Sequence, residues 1–227
     1  MLIGIIGAMD IEVCAIKEKL ENLRVFEISN IKFYIGKIYG KDVVVAKSGI
    51  GKVNAAMCTE AMILKFNPDV IVNTGIAGAI KEGINICDIV VAESVVQHDF
   101  DTTAIGDEEG FIYGPDMVYI PTSENVREAI LKGAREISGI NVHTGVIATG
   151  DLFFRSIEHT RHVRDHFGAL VMEMEGGSIG QVCYLNGVDF CVVRAVSDHN
   201  SGDEYNVYKE KASGISVLAT LNFIKHM

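Results

Sequence analysis

The sequence predicts an α/β protein, a three-layer α/β/α sandwich around a mixed central sheet. Three observations carry this. Short apolar runs alternate with stretches of helical spacing along nearly the whole chain. The runs are continuous rather than alternating, as expected of strands covered on both faces. One pair of runs is joined by Tyr39-Gly40-Lys41, a hairpin signal, which makes the sheet mixed. No linker, repeat or low-complexity stretch divides the chain, so residues 1–227 read as one domain.

Taken in order, Leu2 to Gly7 is a buried strand bounded by glycine. Asp10 to Glu21 places Val13, Ile16 and Leu20 at helical spacing. Ile31 to Ile38 and Asp42 to Ala46 are the hairpin strands. Lys52 to Phe66 is a helix that Pro68 ends. Asp69 to Asn73 is a strand closed by Thr74-Gly75-Ile76-Ala77-Gly78, and Asp88 to Gln97 is a longer, Val-rich one. His98 to Pro121 is a polar connection of the length usually found in lids and binding loops. Ser123 can cap a helix to about Glu136, with Glu124 in its first turn. Asn141 to Ala148 is a strand running into Thr149-Gly150-Asp151, and Ile157 to His166 is a polar helix. Ala169 to Val171 leads into Glu173 and Glu175, then a helix on Gly176-Gly177. Asp189 to Val196 is the last clear strand, and Tyr205 to Lys225 the closing helix.

The totals exclude several functions. The 227 residues are 48% hydrophobic and 22% charged, enough for a large core. A net charge of −10 argues against nucleic acid, whose phosphates need Lys and Arg, but not against a neutral nucleoside. Cys14, Cys58, Cys87, Cys183 and Cys191 are far apart, with no Cys-x-x-Cys pair; they read as reduced thiols of a cytoplasmic protein. The start of the chain lacks the basic region of a signal peptide, and no apolar run is long enough to span a bilayer.

Polar or glycine-rich residues recur where the strands end: Gly7 to Glu12, Ser48 to Gly51, Thr74 to Gly78, Thr149 to Phe154, Glu173 to Gly177 and Ser197 to Asp203. In an open α/β sheet such ends converge on the ligand. This gathers Glu12, Glu173, Glu175 and Asp198 around one cleft. Glu173 and Glu175 share a face if the strand continues through them, and Met174 between them suits a sugar or ring. Asp198, just past a buried strand, is a candidate general acid or a turn cap. Arg194 can pair with a carboxylate, in the frame or at the site. Phe153 can stack on a planar base or serve as core.

Two nucleotide motifs fail. Gly4-Ile-Ile-Gly7 lacks the third glycine of the dinucleotide fingerprint, and Gly49-Ile-Gly51-Lys52 is followed by Val53 where a P-loop has Ser or Thr. Asp10 and Glu12 at a helix start disfavour a phosphate there. His159, His162 and His166 share a helix with Arg161 and Arg164, so a solvated face is favoured over a zinc site. His98-Asp-Phe-Asp101 could hold a cation, but a loop role beside the cleft is favoured.

Six pieces together resemble a known family: Gly4-Ile-Ile-Gly-Ala-Met9 with Glu12; Lys47-Ser-Gly-Ile-Gly-Lys-Val53; Asn73-Thr-Gly75 with Ala77-Gly78; Gly150-Asp151 with Phe153; Met172-Glu-Met-Glu175; and Val193-Arg-Ala-Val-Ser-Asp198. In order, over nearly the whole chain, they are similar to the 5′-methylthioadenosine/S-adenosylhomocysteine nucleosidases, of nucleoside phosphorylase-like fold. The resemblance implies hydrolysis of an N-glycosidic bond with release of adenine, without metal or other cofactor. It implies Asp198 as the acid at adenine N7, Glu12 as the base that activates water, and Glu175 on the ribose hydroxyls. Met9, Ile76, Gly78, Phe153, Phe154, Glu173, Met174, Arg194, Ser197 and Tyr205 then line the substrate site. Among these, Phe153 stacks on adenine, the Phe154 backbone bonds its edge, and Gly78 lets the backbone approach the ligand. A homodimer is implied, with the 99–121 loop near the neighbour's cleft.

The chain also departs from that pattern. Ile76 stands where many members have serine, and Ile105 where the lid is commonly aromatic. The segment His199 to Glu204 is short, and Tyr205 replaces a common phenylalanine. Related hydrolases of aminodeoxyfutalosine or 5′-deoxyadenosine share the catalytic set. A phosphorylase and a non-catalytic purine sensor are the remaining readings; the acids at Asp10 and Glu12 oppose the first, and the intact Glu12, Glu175 and Asp198 the second.

Overall fold

A computed structural model describes residues 1–153 and 156–227. The chain enters the sheet through β1 (Leu2–Gly7) and leaves it for α1 (Asp10–Lys17). It returns as a meander of β2 (Glu21–Ile28), β3 (Ile31–Ile38) and β4 (Lys41–Lys47). α2 (Lys52–Phe66) crosses to β5 (Val70–Ala79), and β6 (Ile89–Gln97) follows. The long loop then carries a 3-10 turn at Thr103–Ile105 and the short β7 (Ile120–Pro121) before α3 (Glu124–Ala134). The rest is β8 (Val142–Thr149), α4 (Ile157–Phe167), β9 (Ala169–Glu173), α5 (Gly176–Asn186), β10 (Asp189–Asp198) and α6 (Gly202–His226).

The expected mixed α/β/α sandwich is found. The sheet runs β10-β6-β8-β9-β5-β1-β4-β3-β2, with β7 on β6. β1 lies parallel to β4 and β5, while β5–β9, β6–β10 and the meander pair antiparallel. β10 also pairs with β5, so β5, β10, β6, β8 and β9 close into a ring. Alternation along each strand splits the core. Ile3, Ile5, Val43, Val45 and Val193 face the side under α1, α3 and α6. Ile6, Val44, Ala46 and Val192 face α2 and α5. Each such side chain is fully buried, and each Val and Ile among them stabilises the fold by roughly 1.5–3 kcal/mol. α4 covers a third cluster with Val163 and Phe167.

Three local expectations change. The first helix stops at Lys17, and Glu21–Ile28 is a strand that sequence reading missed. It is the sheet's edge, mostly exposed, so it lacks the buried run that marks a central strand. β5 and β10 outlast their apolar runs: Thr74 to Gly78 pairs onward with Val193 to Asp198. The residues read as closing those strands are therefore held in register by the sheet itself. Ser123 occupies the N-cap of α3 but does not cap it. Its hydroxyl donates to Asp189 Oδ1 at 2.7 Å and accepts from the Phe190 N–H at 3.1 Å.

Candidate active site

The carboxyl ends of β1, β5, β9 and β10 open onto one cleft with about 600 Å3 of empty space, continuous with solvent. Glu12, Glu173, Glu175 and Asp198 all line it, as the convergence of strand ends predicts.

Glu12 lies in the first turn of α1 and is 3% exposed, whereas its neighbour Asp10 points outward to Lys47 at 2.7 Å. Oε2 of Glu12 accepts the Ala8 and Met9 N–H groups, both at 2.8 Å. Oε1 accepts the Ile76 N–H at 3.2 Å. Burial raises its pKa, opposed by the Arg194 charge and those backbone donors. Gly75 makes the room: a Cβ there would stand 2.6 Å from Glu12 Oε1.

Asp198, the last residue of β10, is 2% exposed, and burial raises its pKa too. The Ser197 hydroxyl donates to Oδ2 at 2.7 Å and the Ser201 N–H to Oδ1 at 3.2 Å. Gly78 lines the cleft, but a Cβ on it would meet Asp198 Oδ1 at 3.0 Å and Asn200 Oδ1 at 3.1 Å. Its bareness first accommodates these two side chains.

The two acids of Met172–Glu175 differ. β9 ends at Glu173, and Glu175 is the N-cap of α5, so they do not sit on one extended face. Glu173 accepts from the Thr149 hydroxyl, the Arg194 guanidinium, the Glu175 N–H at 3.0 Å and the Gly176 N–H at 2.7 Å. It caps the helix and holds a fully buried arginine. Among the described residues Glu175 Oε1 accepts only the Gly51 N–H, at 2.9 Å, and Oε2 stands 3.7 Å from Arg194. Burial and the neighbouring Glu173 charge push its pKa up to about 8. Arg194 is not on the cleft wall; it lies behind it, 1% exposed, tied also to Asn73 Oδ1 at 2.5 Å.

Met9, Ile76, Met174, Ser197, Phe153 and Tyr205 line the cleft. Phe153 is half exposed and meets the Tyr205 ring edge-on at 5.1 Å; the Tyr205 hydroxyl reaches Met9 Sδ at 3.6 Å. Phe154 lies outside the described residues. Sequence reading missed Ala8, Ile50, Ala77, Leu152, Met172 and Asn200 as lining residues. Ile50 and Leu152 sit within glycine-rich strand ends, which is the only signal they carried.

The histidines sit elsewhere. His162 bonds Glu109 at 2.8 Å and stacks on His166 at 5.2 Å. Buried His98 packs edge-on against His159 at 5.1 Å. Asp99 accepts from Lys52 Nζ at 2.6 Å. Among the described residues no cluster of three or more His, Cys, Asp or Glu is arranged to hold a metal ion.

A ringed mixed sheet with buried acids at its strand ends defines a nucleoside phosphorylase-like protein, and residues 2–221 match the phosphorylase superfamily. Within that superfamily the chain belongs to the family of the 5′-methylthioadenosine/S-adenosylhomocysteine nucleosidases. It is 41% identical over 217 residues to the nucleosidase of Staphylococcus aureus, covering 93% of this chain and 94% of the relative. The Neisseria meningitidis nucleosidase in complex with methylthio-immucillin-A superposes with a TM-score of 0.96 at 32% identity, covering 100% of this chain and 99% of that one. The futalosine hydrolase of Helicobacter pylori superposes at 0.94 with 32% identity, covering 100% and 98%.

Proposed function

We propose that this chain hydrolyses the N-glycosidic bond of 5′-methylthioadenosine and S-adenosylhomocysteine, releasing adenine and the 5-thio-substituted ribose. The observation that carries the reading is the pairing of Glu12 and Asp198, two buried carboxylates of raised pKa on one cleft. One acid and one base are what attack by water on a glycosidic carbon requires.

Asp198 delivers a proton to N7 of adenine, so the base leaves neutral as the ribose gains oxocarbenium character. Its raised pKa supports the proton-donor role. Glu12 orients and deprotonates the water. A carboxylate offers about four lone-pair sites, and backbone N–H groups fill three of them here. The fourth serves the water. Glu175, which lines the cleft with Oε1 held by Gly51 and Oε2 accepting no hydrogen bond among the described residues, accepts from the ribose hydroxyls, and Met174 packs on the sugar. Phe153 and Tyr205 cover the base, and Met9, Ile76, Gly78 and Ser197 complete the wall. Glu173 and Arg194 support this set from behind. The reaction uses water and no cofactor.

The chain works as one domain over residues 1–227, in the cytoplasm, in salvage of methionine-derived nucleosides. Its free cysteines and single sheet support this. It acts as a homodimer in which the 99–121 loop reaches the partner's cleft; the exposed Ile105 and Tyr113 on that loop support the arrangement. No helix among the described residues is long and apolar enough to cross a membrane.

The likeness to a futalosine hydrolase favours a second substrate for the same chemistry, aminodeoxyfutalosine. The test is a side-by-side kcat/KM for 5′-methylthioadenosine, S-adenosylhomocysteine, aminodeoxyfutalosine and 5′-deoxyadenosine. The two thio-nucleosides should lead. A lead for aminodeoxyfutalosine would move the assignment to the second reading, and adenine binding without turnover of any of the four would leave only a sensor.

A further inference from the structure

Three strand ends beside the cleft are tied together by charges that the proposed chemistry does not use. Lys52 Nζ donates to Asp99 Oδ1 at 2.6 Å, with both side chains less than one-fifth exposed. Asp99 Oδ2 accepts the Asp151 N–H at 2.8 Å, and Asp151 Oδ1 accepts the Lys52 N–H at 2.8 Å. The three residues thus close a loop of hydrogen bonds joining the head of α2, in the connection out of β4, to the segments just past β6 and β8. Gly51 sits inside this loop at φ +96°, and a Cβ on it would stand 2.9 Å from Asp151 Oδ1. Its N–H is aimed at Glu175 Oε1, 2.9 Å away. That is the one hydrogen bond Glu175's carboxylate accepts among the described residues. The segments on either side carry Ile50, Leu152 and Phe153 to the cleft wall.

We propose that Lys52, Asp99 and Asp151 form a clasp that positions Glu175 for the sugar hydroxyls through the Gly51 amide. The clasp touches no substrate; it fixes which oxygen of Glu175 is spent on the frame and leaves the other for the sugar. Its loss therefore weakens nucleoside binding more than it slows bond cleavage.

This inference rests on Glu175 binding the sugar, and the test separates the two claims. Asp99→Asn and Lys52→Met should each raise KM for 5′-methylthioadenosine about tenfold, the worth of one charge-assisted hydrogen bond. kcat should stay within about threefold, because the lost binding is common to ground and transition states. The double variant should be no worse than either single one, and Lys52→Arg, which keeps the charge, should recover most of the KM. An unchanged KM in both variants would overturn the clasp. So would a kcat loss as large as the KM change, or a Lys52→Arg variant as poor as Lys52→Met. The same ratios can be read as Kd by calorimetry, with a 5′-methylthioadenosine analogue whose glycosidic bond is carbon–carbon. If the unaltered chain binds that analogue but cleaves no nucleoside, the proposed function fails while the Kd ratios still decide the clasp. A chain that binds no nucleoside sinks both.

Discussion

The Glu175 N–H donates to the Glu173 carboxylate at 3.0 Å, so one acid of the Met172–Glu175 segment fixes the backbone of the other. Glu173 is fully engaged by donors and faces inward to Arg194. Among the described residues Glu175 is left with one backbone donor, its other oxygen 3.7 Å from Arg194. Two residues that look equivalent in sequence are divided into a fully engaged support and a carboxylate with acceptor capacity to spare.

Asp198→Asn should lower kcat by about 10²–10⁴-fold, the usual contribution of a general acid. The melting temperature should stay close to that of the unaltered chain, since the neutral amide resembles the protonated acid that burial favours. Steady-state kinetics and a thermal melt check both halves.

Glu12→Gln should abolish turnover while leaving nucleoside affinity largely intact. The amide keeps one acceptor for Ala8 and Met9 but turns a donor toward the Ile76 N–H and cannot take a proton from water. Calorimetric Kd beside kcat tests this; equal loss of binding would place Glu12 on the substrate instead of the water.

Ser197→Ala should move the alkaline limb of the kcat/KM profile to higher pH. The Ser197 hydroxyl donates to Asp198 Oδ2 at 2.7 Å and so lowers its pKa. Without it the acid form of Asp198 persists to higher pH, and an acid catalyst works while protonated. A limb that stays in place or moves down would contradict the role given to Asp198.

Thermal stability without ligand should fall as pH rises from about 6.5 to beyond 8. The pKa of Glu175 goes from 4.5 in the unfolded chain to about 8 when folded, so folding takes up a proton in that window. Stability from such a group is complete below the unfolded pKa and is lost as pH rises through the folded one. Glu12 and Asp198, also raised, act in the same direction. The lowered carboxylates Asp10, Asp42 and Asp99 titrate below this range, whereas buried His98, lowered to about 4, offsets the slope below about 6.5 and leaves it unopposed above. Glu175→Gln should flatten the slope of melting temperature against pH without abolishing it.

The central sheet was legible because β1, β4 and the first halves of β5, β6 and β10 carry buried apolar runs, and β8 carries an apolar run near its end, Val146 to Ala148. β2 was not, since an exposed edge strand carries no such run. The cleft acids were legible because polar residues after apolar strands have few structural uses. What each acid does was less so. Glu173 and Glu175 differ only through Thr149, Gly51 and Arg194, which are distant in sequence, and Gly78 is explained by Asp198 and Asn200, which β10 brings beside it. The closing of β10 onto β5 is likewise a pairing that no local pattern announces.

The most direct test of the account is the product formed from 5′-methylthioadenosine with and without added phosphate, resolved by chromatography. A Glu12-activated water predicts adenine and free methylthioribose at the same rate in both. Product that appears only with phosphate, as a sugar 1-phosphate, would contradict Glu12 as the water base and make the chain a phosphorylase.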